Sequence, residues 1–351
     1  MLELLAPSPS ASHERVQVVR DAAAGLLCVV AVHSTALGPA MGGVRRMSYT
    51  SIDDALADAL RLSQAMTLKN SAAGLPLGGG KSVIVHAGER PTTALLESFA
   101  EVVDGLGGRY VGAQDIGTTS DDMDMLAART PWVAGRSPGQ GGTGDPARST
   151  AWTVLGAIEQ ALAHLDGSAD LAGRRIGIVG AGSVGGRLVT ALLERGAEVL
   201  VDDAAPQALA DAVIAGARAT PTADILATEL DVLAPCATGG LITAAVADGL
   251  RARIVCGAAN NVLADDDLAE RLHAGSVLYV PDFVANSGGI IQVGGEFLGW
   301  SAEQAEAMLD DAVARVGTVL ADAKRRGVTP LGAAHAMAAA RLDAVRAGAA
   351  R

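Results

Sequence analysis

The sequence predicts an α/β protein of two domains, and three observations carry that reading. Short apolar runs rich in β-branched residues alternate with amphipathic stretches. Residues 175–203 read as strand, glycine turn, helix and strand. At 351 residues, with 50% of them apolar, the chain can bury two cores of ordinary size.

In chain order, LLCVVAV (26–32) has the composition of a buried strand, and PAMGG (39–43) should break the pattern. Ser51 followed by Asp54 resembles a capping box opening DDALADALRLSQAM, a helix that delivers Met66 and Lys69 at its C-terminal end. A glycine loop should lead to the strand KSVIV, with a helix over 92–105. Residues 109–126 read as a strand ending at Asp115, a polar turn and a helix start. Gly and Pro dominate 135–146, which sets the expected domains at 1–134 and 135–325, with 326–351 a C-terminal helix packing back. A helix over 149–164 opens the second domain, and another over 302–325 precedes Thr329-Pro330, a cap and first helical residue.

The run RIGIVGAGSVGGRLVTALLERGAEVLVDD is the most specific local pattern. Its strand ends at Gly180-x-Gly182-x-x-Gly185, and a second strand ends at Asp203. Glycines allow the tight turn and close pyrophosphate approach, while the helix N-terminus at Ser183 and Val184 supplies backbone donors. This is a Rossmann-type pattern. Asp203 suits ribose hydroxyls, and Ala204, Ala205 and Pro206 offer no cation for a 2′-phosphate, so NAD is expected over NADP. Asp202 competes for that role, although strand alternation would turn it the other way. Strands at 231–235, 253–257 and 277–281 run into loops that should lie near the cofactor, among them Ala259-Asn260-Asn261 and Asn286-Ser287-Gly288-Gly289.

A net charge of −12 disfavours nucleic acid and anionic membrane surfaces as partners. The longest early apolar run is too short to span a bilayer, and Glu3 stands where a basic leader region would begin, so a cytoplasmic location is expected. Cys28, Cys236 and Cys256 lack disulfide or zinc spacing and read as buried small hydrophobes, and the six histidines show no paired ligand spacing, so no metal is expected.

Of 27 basic residues only Lys69, Lys81 and Lys324 are lysines. Lysine can lose its proton when buried, whereas arginine cannot, so the two lysines flanking the glycine cluster read as chemically chosen. A phosphate-binding loop, GxxxxGK[ST], would need glycine where Leu75 stands.

Seven segments in uninterrupted order, GPAMGGVR (38–45), LKNSAAGLPLGGGKSV (68–83), GAQDIGTTSDDM (112–123), the dinucleotide pattern, APCATGG (234–240), CGAANN (256–261) and PDFVANSGGIIQV (281–293), together resemble the Glu/Leu/Phe/Val amino acid dehydrogenase family. The likeness is nearest to its shorter leucine, valine and phenylalanine branch. It implies that 1–134 serves substrate binding, catalysis and oligomerisation and 135–325 binds NAD, with a cleft between the two domains. It also implies a homo-oligomer of two or more subunits, and NAD-dependent reversible deamination of an L-amino acid to a 2-oxo acid and ammonia. By resemblance Lys81 and Asp115 are catalytic, and Lys69 and Asn260 bind the substrate carboxylate. Met41, Gly42, Gly43, Met66, Ala113, Ile290 and Val293 form the substrate pocket. That lining carries no charge to pair an acidic side chain, which favours apolar substrates over glutamate. The larger residues at Met41, Ile290 and Val293 suggest a pocket trimmed for branched aliphatics, so valine or leucine is expected ahead of phenylalanine. Cofactor contacts fall on Gly180, Gly182, Ser183, Val184, Gly185, Asp203, Thr150, Cys236, Ala237, Ala258 and Asn260. Pro146, Arg148 and Thr153 depart from the family pattern beside the expected nicotinamide site. Two other readings are an NAD oxidoreductase acting on another small carboxylate and a catalytically silent NAD sensor.

Overall fold

The computed structural model describes residues 12–86 and 90–349; the segment around Glu3 lies outside them. The chain divides into two compact units: Met1–Asp145 with Gln292–Ser301 and Ala338–Arg351, and Pro146–Ile291 with Ala302–Met337. The glycine-rich loop after residue 134 therefore stays with the first unit. Buried Glu296 explains this, because its carboxylate accepts from Arg136 N and Nε at 3.2 and 3.1 Å and from Thr143 N and Oγ1 at 2.9 and 3.0 Å.

In the first unit, β1 (Arg15–Asp21), β2 (Leu26–Ser34), β3 (Ala40–Met47), β4 (Gly78–Val85) and β5 (Tyr110–Gln114) form one sheet in the order β1-β2-β4-β3-β5. The β2–β4 pair is antiparallel, while β3 runs parallel to β4 and β5. Helix α1 (Ile52–Ala72) starts at Ser51, whose hydroxyl accepts from Asp54 N at 3.1 Å, and covers Val29, Ala31 and Val83. The alternate residues Cys28, Val30 and Ile84 face the opposite core, which α2 (Thr93–Asp104) fills with Leu95, Leu96 and Phe99 and α3 (Ser120–Ala127) with Met123 and Leu126.

Two glycine segments are strands where the sequence suggested a break or a loop. Gly42 and Gly43 lie within β3, and Gly78, Gly79 and Gly80 open β4. Close packing is the reason. A Cβ on Gly79 would stand 2.1 Å from Thr67 of α1, and one on Gly80 would stand 2.7 Å from the Tyr110 ring. The glycines admit a helix on one face and an aromatic ring on the other.

In the second unit, α4 (Ala147–Asp166) precedes β6 (Arg175–Val179), α5 (Ser183–Glu194), β7 (Glu198–Asp202), α6 (Pro206–Ile214), β8 (Arg218–Ala219), α7 (Thr222–Ala227) and β9 (Leu230–Pro235). There follow α8 (Ala244–Gly249), β10 (Ala252–Val255), α9 (Leu268–Ala274), β11 (Leu278–Tyr279) and α10 (Asp282–Ala285). The sheet is parallel, in the order β11-β10-β9-β6-β7-β8. Counted within this unit that is 3-2-1-4-5-6, the dinucleotide-fold order, whose direction reverses between β6 and β9.

Helix α11 (Gly288–Leu298) begins in the second unit and ends in the first. Helix α12 (Ala302–Arg326) belongs to the second unit, and α13 (Pro330–Ala349) passes from the second to the first. Within the first unit Arg341 donates to the carbonyls of Asn70, Ser71 and Gly74 at 3.4, 3.1 and 2.9 Å. It thereby adds a charged donor to carbonyls at and just past the C-terminal end of α1, where Asn70 O and Ser71 O also accept from Leu75 N and Gly74 N, each at 3.0 Å. Among the described residues no helix is long and apolar enough to cross a membrane.

Candidate active site

The first unit brings its chemistry together on the α1 face of the sheet. Lys81 lies level with Ala31 of β2, and Gly43 is paired with Ala113 of β5. Alternation puts Met41, Gly43 and Arg45 of β3 on the same face as Lys81. Asp115 follows the end of β5, and its Oδ2 accepts from the Lys81 ammonium across β3. Gly43 leaves the room for that contact: a Cβ there would stand 2.6 Å from Asp115 Cβ and 2.8 Å from Lys81 Nζ. Thr118 holds the turn, its hydroxyl accepting from Asp115 N at 2.9 Å and donating to Val44 O at 2.9 Å.

Burial pulls the Lys81 pKa below the usual lysine range, with the Arg45 guanidinium adding to the effect and Asp115 opposing it. Burial works to raise Asp115, but the Lys81 ammonium together with Arg45 outweighs it and holds the carboxyl below its ordinary value. The pair is therefore a buried cation beside a carboxylate that stays ionised. Lys69, in the last turn of α1, is half-buried, as is Met66. A Cβ on Gly42 would meet Met66 Cγ at 3.4 Å and Gly80 O at 1.7 Å. Met41, Ala113 and Val293 are buried in this unit, whereas Ile290 belongs to the second.

In the second unit the glycine turn joins β6 to α5. Gly180 has a left-handed φ of 104°, and a Cβ there would stand 2.5 Å from Ala237 N. On Gly185 it would stand 1.9 Å from Gly180 O and 3.2 Å from Cys236 Cβ. Gly182, at the helix N-cap, has open space where its Cβ would be and supplies no side-chain cap. Ser183 is exposed and Val184 half-buried in the first turn of α5. The turn thus packs tightly against the helix and the β9 loop while leaving backbone donors for an anion, which fits a dinucleotide pyrophosphate.

The two aspartates are distinguished by their partners. Asp202 accepts from both the amide and the hydroxyl of Thr222, and Asp203 accepts from Ala181 N at 2.6 Å and Ala205 N at 2.7 Å. Asp203 is thus joined to the glycine turn. Elsewhere Asn286 donates to Ala258 O at 3.0 Å and Asn260 Oδ1 at 2.9 Å, while its own Oδ1 is buried without a partner. A Cβ on Gly289 at the start of α11 would stand 2.8 Å from the Thr150 hydroxyl oxygen. Of the cysteines, Cys28 and Cys256 are buried and Cys236 only half-buried.

Residues 13–132 match the Glu/Leu/Phe/Val dehydrogenase dimerisation domain, and residues 204–348 match the Glutamate/Leucine/Phenylalanine/Valine dehydrogenase model. The chain belongs to this family. It is 41% identical over 351 residues to valine dehydrogenase of Streptomyces virginiae, covering 99% of this chain and 98% of that protein. It is 38% identical over 347 residues to leucine dehydrogenase of Geobacillus stearothermophilus, covering 98% and 95%. The crystal structure of L-tryptophan dehydrogenase from Nostoc punctiforme superposes with a TM-score of 0.84 at 33% identity, covering 95% of this chain and 97% of that one.

As a member of the family the chain is an amino acid dehydrogenase, an oxidoreductase served by a nicotinamide nucleotide. In the sequence Arg45 stands out only as the last residue of GPAMGGVR, yet it donates to Asp115 Oδ2 at 3.2 Å and to Asp58 Oδ2 at 2.9 Å. Asp58 carries no signal in the sequence, because in ADALRL it reads as one more solvated helix acid. It also accepts from Tyr49 OH at 2.7 Å. Of the residues expected to depart from the family pattern, Thr153 is buried within α4. Its buried hydroxyl accepts from Gly288 N at 3.1 Å and donates to Thr150 O at 3.2 Å, tying α4 to the start of α11. Pro146 serves as the N-cap of α4, and Arg148 is exposed.

Proposed function

We propose that this protein catalyses the reversible, NAD-dependent oxidative deamination of branched-chain L-amino acids to 2-oxo acids and ammonia, with valine or leucine ahead of phenylalanine. The buried Lys81–Asp115 pair spanning Gly43 carries the proposal. Bound at the glycine turn, NAD would accept a hydride from the substrate Cα. Gly180, Gly182, Ser183, Val184 and Gly185 would hold its pyrophosphate, and Asp203 its adenosine ribose. Thr150, Cys236, Ala237, Ala258 and Asn260 are proposed to line the rest of the cofactor site.

The side-chain roles follow from charge and proton affinity. Lys69 fixes the substrate carboxylate as a cation, and the Asn260 amide adds a hydrogen bond. Lys81, made easier to deprotonate by burial, takes a proton from the water that adds to the imine carbon of the substrate. Asp115, ionised beside it, carries protons to and from the departing nitrogen. Met41, Gly42, Gly43, Met66, Ala113, Ile290 and Val293 are proposed to receive the side chain, and they bring no charge to the pocket. A methylene more or less there discriminates by only about 1–3 kcal/mol, so the preference is graded.

The match to a dimerisation domain supports a homo-oligomer, and three free cysteines support a reducing, cytoplasmic setting. The test is NADH formation across the twenty L-amino acids at alkaline pH, with NADP as a control. Valine and leucine should lead and NADP should fail. A strong preference for phenylalanine, or equal rates with an amine lacking the carboxylate, would contradict the reading.

A further inference from the structure

Arg45 has an arrangement that the ion pair alone does not require. Its guanidinium lies between two acids, with Nε on Asp115 Oδ2 at 3.2 Å and Nη1 on Asp58 Oδ2 at 2.9 Å. The Asp115 oxygen it takes is the one that Lys81 also takes. Asp58 is fixed in turn by Tyr49 OH and by Arg61 Nη2, each at 2.7 Å. The Arg45 and Asp58 side chains are each 16% exposed and that of Lys81 is 6% exposed, so solvent screens these contacts little.

A lysine buried against one carboxylate of its own is held charged. Guanidinium cannot give up its proton at any accessible pH. When it shares the oxygen, it divides the carboxylate's attraction and adds a fixed positive charge near the ammonium. Both effects favour loss of the lysine proton while Asp115 stays ionised.

We propose that Arg45 is a positioning residue that sets the proton affinity of Lys81, by sharing the Asp115 oxygen and by covering the charge of Asp58. The inference rests on Lys81 being the base. Among the described residues the charged groups that act most on Lys81 are Asp115 after β5, Arg45 of β3 and Asp58 of α1, with Tyr49 and Arg61 behind Asp58, and α1 also carries Lys69 in its last turn. From β2 the residue level with Lys81 is Ala31, and on the other face of the sheet Tyr110 bonds Ser82 at 2.9 Å. Their influences agree with the geometry: burial lowers the Lys81 pKa most, Asp115 and Asp58 raise it, and Arg45 lowers it.

The test is the pH profile of kcat/KM for deamination of L-valine in the full-length enzyme, comparing wild type with Arg45→Met, Arg45→Lys, Asp58→Asn and Lys81→Ala. In Arg45→Met the rising limb should move to higher pH, with kcat/KM on that limb falling roughly tenfold and recovering as pH rises. Arg45→Lys, which keeps the charge, should restore most of the displacement. Asp58→Asn should move the limb the opposite way, to lower pH, and gives a reading even where Arg45→Met does not fold. A loss equal at every pH in Arg45→Met, or limbs unmoved in both Arg45→Met and Asp58→Asn, would overturn the inference. If Lys81→Ala kept the wild-type limb, the assignment of Lys81 as base would fall, and this inference with it. If Lys81→Ala abolished the limb while the Arg45 and Asp58 variants left it in place, only the role of Arg45 would fall.

Discussion

Lys81 and Asp115 form an ion pair across a strand to which neither belongs. Lys81 is on β4, Asp115 follows β5, and β3 runs between, presenting Gly43 at the point of crossing. Two strand spacings amount to about 10 Å, so a side chain on the middle strand would ordinarily block such a contact. The missing Cβ is thus part of the site.

Gly43→Ala is therefore expected to be more damaging than its size suggests. The new methyl would stand 2.6 Å from Asp115 Cβ and 2.8 Å from Lys81 Nζ, too close for either to stay. A kcat loss of about a hundredfold or more is expected, since displacement of catalytic groups by about 1 Å has that effect. Stability should fall as well, because Lys81 Nζ can swing aside as the end of a flexible chain but Asp115 Cβ is fixed to the backbone. Steady-state kinetics beside a thermal melt would check this, and near-normal kcat would contradict it.

Arg341→Ala should weaken substrate binding from a distance. The guanidinium holds three carbonyls at and just past the end of α1, directly after the proposed carboxylate ligand Lys69. A rise of roughly fivefold to tenfold in the KM for L-valine, with the KM for NAD little changed, is expected from the loss of a charge-assisted bond of about 1.5 kcal/mol. Equal changes in both constants would point to general loosening instead.

Asp203→Ala should raise the KM for NAD about tenfold or more while leaving amino acid binding nearly intact, as expected when a ribose loses a carboxylate acceptor. The same replacement frees Ala181 N and Ala205 N. Initial rates over a range of NAD concentrations would show it. An unchanged KM would remove Asp203 from the cofactor site.

Stability should decline as the solution is acidified through the histidine range. Burial, with His13 and Arg346 adding to it against Glu14, lowers the pKa of His33 to about 4 from an ordinary 6.5, and Nδ1 is hydrogen-bonded to Thr67 Oγ1 at 2.7 Å. Between those two values the unfolded chain binds the proton and the folded one does not, so stability falls as pH drops through that window. With partial exposure allowed for, the effect is on the order of 1 kcal/mol. Urea midpoints at pH 7 and pH 5 should separate more in wild type than in His33→Gln; equal separations would exclude His33 as the cause.

The second unit was legible because its evidence is local. The turn at Gly180, Gly182 and Gly185 is flanked in one short stretch by the strand and helix that it joins, and Asp203 follows the next strand directly. In the first unit Gly42, Gly43 and the Gly78–Gly80 run looked like breaks, yet their absent side chains answer to Thr67, Tyr110, Asp115 and Lys81, partners remote in sequence or on other strands. Asp58 gave no signal, because the pairing that defines it comes from Arg45, thirteen residues earlier. Likewise nothing local in α11 announces that Glu296 would bind Arg136 and Thr143 across 160 and 153 residues.

The central claim is that Lys81 acts as the base, and the most direct measurement is the turnover of Lys81→Ala with L-valine and NAD, alongside NAD binding by fluorescence. A kcat lower by about 10²–10⁴-fold, with NAD affinity and the thermal melt retained, is the predicted result. Turnover within a few-fold of wild type would contradict it.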